Sequence, residues 1–367
     1  MKLPELPQQP QAVPWPTRQW RSARAVAPAE RFDAATSALW DLPDGAGATL
    51  ALLVVQHGVI VYERYAEGVD ANTPLRSWSM AKSVTQALAG MLVLDGKLDI
   101  NAPINPPEWQ GAQDPRAAIT TRHLLEMRSG LAWNEDYVDR GVSDVMEMLW
   151  GSGSEDVAHF AAAKPLVHTP GSVFYYSSGT TNILARHLGA LVSDRPVGQA
   201  PLGDAPLGDA PLGDRSGASE ASMLRYMRER LFAPLGMTSA TPKFDAAGTF
   251  IGSSFCFCTA RGFARFGLLF LRDGIWDGQR LLPEGWVDYT RTMTHREQVE
   301  PHSHYGAQWW IADDEVTFYA SGYETQRIVV APHRDSLVVR LGNTPGEFGP
   351  SVALRVLAVL EALPTLR

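Results

Sequence analysis

Two short stretches of this chain carry side chains able to break an acyl bond. The first is Ser79-Met80-Ala81-Lys82. On a helix, positions i and i+3 share a face one turn apart, so the Lys82 ammonium can approach the Ser79 hydroxyl. A helix N-terminus adds free backbone N–H groups and a positive dipole end where a negative oxygen would develop. Serine is a poor nucleophile at neutral pH, and a neutral amine or a phenolate beside an ammonium can take its proton. The bland alternative is a capped helix start with an exposed lysine, and four residues alone do not decide between the two.

The second stretch is Tyr175-Tyr176-Ser177-Ser178-Gly179, between the turn Pro170-Gly171 and a helical pattern over Thr181–Leu191. Ser177 or Ser178 suits the N-cap of that helix. Tyr176 then projects from a loop fixed at a helix start, a common placement for functional groups. A phenol titrates near pH ~10, so it becomes a base only beside a cation such as Lys82. By itself this pair of tyrosines reads as packing between lobes.

The elements that must hold these groups follow from the hydrophobic pattern. ATLALLVVQ and VIVYERY, separated by His57-Gly58, predict a β-hairpin. From Trp78 onward Val84, Ala87, Leu88, Met91 and Leu92 recur at helical spacing until the stop Asp95-Gly96, which places Ser79 in the first turn. Helical patterns then dominate, around His123–Met127, Asp144–Trp150, Thr181–Leu191, Ala221–Phe232 and Ala260–Leu271. Strand patterns return at Ala307–Ile311, Glu315–Ser321, Arg327–Ala331 and Ser336–Leu341, before a final helix from Ser351 to Leu363. The expected fold is α+β: residues 29–98 and 300–367 form an α/β lobe with one antiparallel sheet flanked by helices, and 99–299 form a helical lobe. Residues 1–28 are an extended, proline-rich arm, either disordered or wrapped on the body, with Trp15 and Trp20 favouring wrapping. Residues 200–214 repeat APLGD three times and predict an exposed loop insertion.

Composition excludes several classes of function. A chain of 367 residues with 45% hydrophobic content can bury a large core. The net charge is −8 and no Lys/Arg run could track a phosphate backbone, which argues against nucleic acid. The two cysteines, Cys256 and Cys258, sit too close for a disulfide framework and read as buried small hydrophobes. His302-Ser303-His304 has no carboxylate partner at ligand spacing, so neither a metal nor a cofactor is expected. There is no Gly-x-Ser-x-Gly elbow and no GxxxxGK[ST] phosphate loop. The N-terminus lacks an apolar signal core and no segment has the apolar length of a membrane helix, so a cytoplasmic protein is expected.

Taken in order, SWSMAKSVTQALAGMLVLDGKLDI, TTRHLLEMRSGLAWNEDY, PGSVFYYSSGTTNIL, FAPLGM and CTARGFARFGLLFLRDGIWDGQRLLP resemble the serine β-lactamase and penicillin-binding protein superfamily. The likeness is closer to its class C-like branch of esterases, D-aminopeptidases and 6-aminohexanoate-dimer hydrolases. It spans roughly residues 45–360 and implies the β-lactamase/transpeptidase-like fold. It further implies that Ser79 is acylated, that Lys82 and Tyr176 shuttle protons, and that the backbone N–H groups of Ser79 and Tyr323 form the oxyanion hole. The family's strand triad of cation, Thr or Ser, and Gly falls on Ala320-Ser321-Gly322. Ala320 replaces the cation that grips a β-lactam carboxylate, and Ser178 stands where many relatives have Asn.

The expected activity is therefore hydrolysis of a small ester or amide through an acyl-enzyme in a cleft between the lobes. Ser178, Ser321, Gly322 and Trp310 are the candidate substrate contacts. Trp309 and Trp310 alternate across a strand, so one should face the core. A true β-lactamase or D,D-peptidase is the rival enzyme, and a catalytically silent binding or scaffold relative is the rival of another class. Substrate identity and oligomeric state are not readable from the chain.

Overall fold

At His57-Gly58 the chain reverses with positive φ at both residues, 52° and 77°, as a two-residue hairpin turn matched to strand twist requires. The computed structural model describes residues 3–111, 113–137, 143–193, 212–296 and 303–366. The hairpin expected there consists of β1 (Thr49–Gln56) and β2 (Val59–Tyr65). The sheet continues through β3 (His304–Tyr305), β4 (Trp310–Ile311), β5 (Phe318–Gly322), β6 (Gln326–Ala331) and β7 (Ser336–Gly342). Its seven strands run in the order β2-β1-β7-β6-β5-β4-β3, antiparallel throughout. The expected α+β class with an antiparallel sheet is borne out.

Two compact units form. The sheet unit comprises Met1–Ser83, Arg230–Thr241 and Cys256–Arg367. One face of its sheet carries α1 (Ala29–Ser37) and the C-terminal helix Gly349–Glu361, where Phe32, Val352, Val356 and Val359 meet Leu52, Val54, Val329 and Val338. The helix Ala260–Leu271, ARGFARFGLLFL, packs on strands β1, β6 and β7. Thr259 caps it by accepting from the Gly262 N–H. Phe266 and Phe270 flank Trp309 with ring centroids 6.1 and 4.5 Å away, and burying each such side chain contributes about 1.5–3 kcal/mol. This helix had been expected in the helical lobe. Its residues 260 and 262–271 are all buried, because the N-terminal arm supplies a second cover. Arg265 Nε donates to Pro16 O at 2.7 Å, Arg272 Nη1 to Pro7 O at 3.1 Å, and Trp20 Nε1 to Arg261 O at 3.3 Å. The arm therefore wraps, as its tryptophans suggested.

The second unit comprises Val84–Glu229 and Pro242–Phe255. Its helices include Thr121–Leu125, Asp144–Trp150, Val157–Ala162, Ser178–Val192 and Leu212–Met227. Residues 194–211, which hold most of the APLGD repeat, lie outside the described residues, as does His302.

One strand is shorter than expected. Within Ala307–Ile311 only Trp310 and Ile311 are extended, because Gln308 takes φ 57° in a turn whose carbonyl accepts from Ser83 Oγ at 2.8 Å. Both cysteines are free and buried. Among the described residues no helix is long and apolar enough to cross a membrane, and no cluster of His, Cys, Asp or Glu could hold a metal ion.

Candidate active site

The helix α2 (Met80–Leu94) begins one residue after Ser79. Met80, Ala81 and Lys82 donate their N–H groups to Ser77 O, Trp78 O and Ser79 O at 3.2, 3.0 and 3.0 Å. These tight i→i−3 bonds wind the chain into the helix and leave the Ser79 side chain at its tip. Lys82 Nζ donates to Ser79 Oγ at 2.9 Å, the contact that their spacing predicts. Ser79 is half-buried, whereas Lys82 is only 2% exposed.

The segment before the serine is clamped. Ser77 Oγ accepts from Cys256 N at 2.9 Å, and Trp78 takes φ 44°, a left-handed value unusual for a bulky residue. Gly322, at the end of β5, touches this segment closely. A Cβ on it would stand 2.4 Å from Ser77 O and 3.1 Å from Trp78 Cβ. Tyr323 follows, 41% exposed, with its ring 5.6 Å from that of Trp78 at 83°. In the sheet unit the structure thus brings together Ser79, Lys82, Gly322 and Tyr323.

Two other candidates make contacts of their own. Ser321 Oγ accepts from Arg327 Nη1. Trp310 packs against the cluster of Phe32, Tyr319 and Val352, while its neighbour Trp309 is fully buried with Phe266 and Phe270. The alternation across the strand is as expected, with the half-buried Trp310 indole packed on the α1 face of the core.

Tyr176 and Ser178 belong to the second unit. Ser177 is the N-cap of the helix Ser178–Val192, accepting from Thr180 N at 3.0 Å. Tyr175 N donates to Met127 O at 2.8 Å and Ser177 N to Met127 Sδ at 3.4 Å, so Tyr176 is held from both sides. Ser178 N donates to Glu135 Oε2 at 2.9 Å and Ser178 Oγ to Glu135 Oε1. Trp133 Nε1 and Tyr137 OH donate to the same carboxylate. A carboxylate at a helix N-terminus suits the dipole. Burial, then the negative charge of Glu135 and the neighbouring Tyr176, pushes the Tyr137 phenol well above its ordinary range.

Sequence reasoning missed Trp78, Glu324, Glu135 and Tyr137. The last two lie in the stretch TTRHLLEMRSGLAWNEDY, yet no spacing marks them. Glu324 is 246 residues from its partner Trp78, beyond any local pattern.

The Beta-lactamase family profile matches residues 32–201. A 6-aminohexanoate-dimer hydrolase of Paenarthrobacter ureafaciens is 25% identical over 343 residues, covering 88% of this chain and 80% of that protein. The structure of a candidate 6-aminohexanoate-dimer hydrolase of Bacillus anthracis superposes with a TM-score of 0.70 at 20% identity, over 99% of this chain and 92% of the other. EstCE1, a hydrolase with promiscuous acyltransferase activity, superposes with a TM-score of 0.64 at 15% identity, over 91% and 97%. With the seven-stranded antiparallel sheet and the Ser79–Lys82 pair at a helix tip, these likenesses show the β-lactamase/transpeptidase-like fold and a chain similar to hydrolases of the serine β-lactamase and penicillin-binding protein superfamily.

Proposed function

We propose that this protein is a serine hydrolase that cleaves a small ester or amide through an acyl-enzyme formed on Ser79. The observation that carries the proposal is the 2.9 Å hydrogen bond from a nearly fully buried Lys82 ammonium to the Ser79 hydroxyl. Ser79 Oγ attacks the substrate carbonyl while its proton passes to the Lys82 and Tyr176 set. The N–H groups of Ser79 and Tyr323 receive the oxyanion, and Tyr176 returns the proton to the leaving oxygen or nitrogen. Water then repeats the sequence on the ester bond. Tyr176 enters through the family resemblance and the Ser177 cap that fixes its loop.

The substrate class draws on the relatives' names, a hydrolase of an amide dimer and one with acyltransferase activity. Ala320, fully buried, stands at the position where the family triad carries its cation, which disfavours β-lactams. The test is a panel of short-chain nitrophenyl esters and amino-acid amides beside a fluorescent penicillin, with labelling by a fluorophosphonate. Ester or amide turnover with labelling of Ser79, and weaker acylation by the penicillin, is the expected result. A protein that neither turns over the panel nor labels is not this enzyme.

The close approach at Gly322 gives a further expectation. In Gly322→Ala the added Cβ must displace the Ser77–Trp78 backbone, since its nearest neighbour at 2.4 Å is a carbonyl oxygen. Relieving that contact moves the backbone by more than about half an ångström, and a misplacement of about 1 Å costs about a hundredfold. Steady-state kinetics should show that loss in kcat, while circular dichroism shows the fold retained.

A further inference from the structure

We propose that Glu324 is a positioning residue for Ser79, acting through the indole of Trp78, and that Arg340 holds Glu324 in place. This rests on Ser79 being the nucleophile. Trp78 precedes Ser79 in the chain and has φ 44°, a conformation that a bulky residue keeps only where its surroundings enforce it. Those surroundings are specific. Trp78 Nε1 donates to Glu324 Oε2 at 2.8 Å, the Tyr323 ring meets the indole edge to face, and the Arg76 guanidinium lies 4.6 Å from the ring centroid. An indole N–H is a donor only, so the acceptor on Glu324 fixes which way the ring turns.

The Glu324 backbone is itself immobilised. Glu324 and Thr325 both have φ 60°, two left-handed residues in succession without a glycine. Arg340, fully buried, spends its guanidinium on this corner. Its Nη1 donates to Glu324 O at 2.8 Å and Thr325 O at 3.1 Å, and its Nη2 to Thr344 Oγ1 at 2.7 Å and Ala48 O at 3.2 Å. Nε donates to Thr49 Oγ1 at 3.3 Å. That accounts for all five guanidinium donors. From the other side the Gln326 amide donates to Gly342 O at 2.6 Å and to Tyr323 O at 3.2 Å. The corner that carries the Tyr323 N–H therefore also grips the residue before Ser79. One frame sets both oxyanion donors, and catalytic geometry tolerates errors of only about 0.5 Å.

The experiment combines kinetics with a local probe. Glu324→Leu removes the acceptor and should lower kcat about thirtyfold with KM within about threefold. Trp78→Phe removes the donor and should lose as much. The double variant should lose no more than either single one, because both break the same bond. Glu324→Gln keeps an acceptor oxygen and should recover most of kcat, with an unchanged pH profile because the group exchanges no proton. The ¹⁵N-indole signal assigned to Trp78 should shift in Glu324→Leu and stay near its place in Glu324→Gln. Should Glu324→Leu fail to fold, Trp78→Phe and Glu324→Gln still carry the comparison. Single variants within twofold of the parent kcat, or losses that multiply in the double variant, overturn the proposal while Ser79 still labels. A parent protein that never labels with a fluorophosphonate ends both this proposal and the function it rests on.

Discussion

Ser79→Ala should abolish turnover, lowering kcat/KM by about ten-thousand-fold or more, with thermal unfolding displaced by only a few degrees. The first half follows from chemistry: without the hydroxyl no acyl-enzyme forms, and removing one member of a nucleophile set costs nearly as much as removing all of it. The second half follows from the site. Ser79 is half-buried at a helix tip and its side chain receives one hydrogen bond, from Lys82 at 2.9 Å. Ser79 is half-buried, so solvent can reach the space its hydroxyl leaves, and the backbone bonds that wind α2 run through main-chain atoms. Ester kinetics, fluorophosphonate labelling and a melting curve on the same preparation check both halves. Turnover retained in a well-folded variant would remove Ser79 from the mechanism.

What could be read in advance was what depends on near neighbours. His57-Gly58 marks the hairpin because two adjacent residues must adopt left-handed backbone, and the structure gives both positive φ. The period of α2 and of the helix Ala260–Leu271 is a local property of apolar spacing. So is the Ser177 cap, which needs only the N–H three residues on. What escaped depends on distant partners. Nothing around Trp78 announces a left-handed φ, since its enforcers are Gly322, Tyr323 and Glu324. Nothing around Arg340 announces that it faces the carbonyls of Ala48, Glu324 and Thr325 instead of solvent. Within β7 an arginine amid apolar neighbours looks like an edge or a bulge, yet its strand is buried along its whole length. The placement of Ala260–Leu271 was missed for a related reason. Its amphipathic pattern shows that a face is buried, but not whether the partner is another helix, the sheet or the arm.

Lys82 supplies the sharper test of whether this site is kept for chemistry. A buried ammonium is costly to desolvate, and an apolar side chain of similar volume avoids that cost. Methionine nearly matches the lysine stem and fills irregular space well. Lys82→Met should therefore leave the melting temperature unchanged or raise it by a few degrees, while lowering kcat/KM by about a thousandfold or more, since Ser79 loses the group that shares its proton. Fluorophosphonate labelling should slow in parallel, because that reagent also needs an activated hydroxyl. Stability and activity moving apart in this way is what a residue retained against stability produces. If instead Lys82→Met melts far below the parent and the fraction still folded turns over esters at the parent rate, the amine is a structural anchor. The 2.9 Å contact at the tip of α2 would then be packing, and Ser79 would need a different proton acceptor to act at neutral pH.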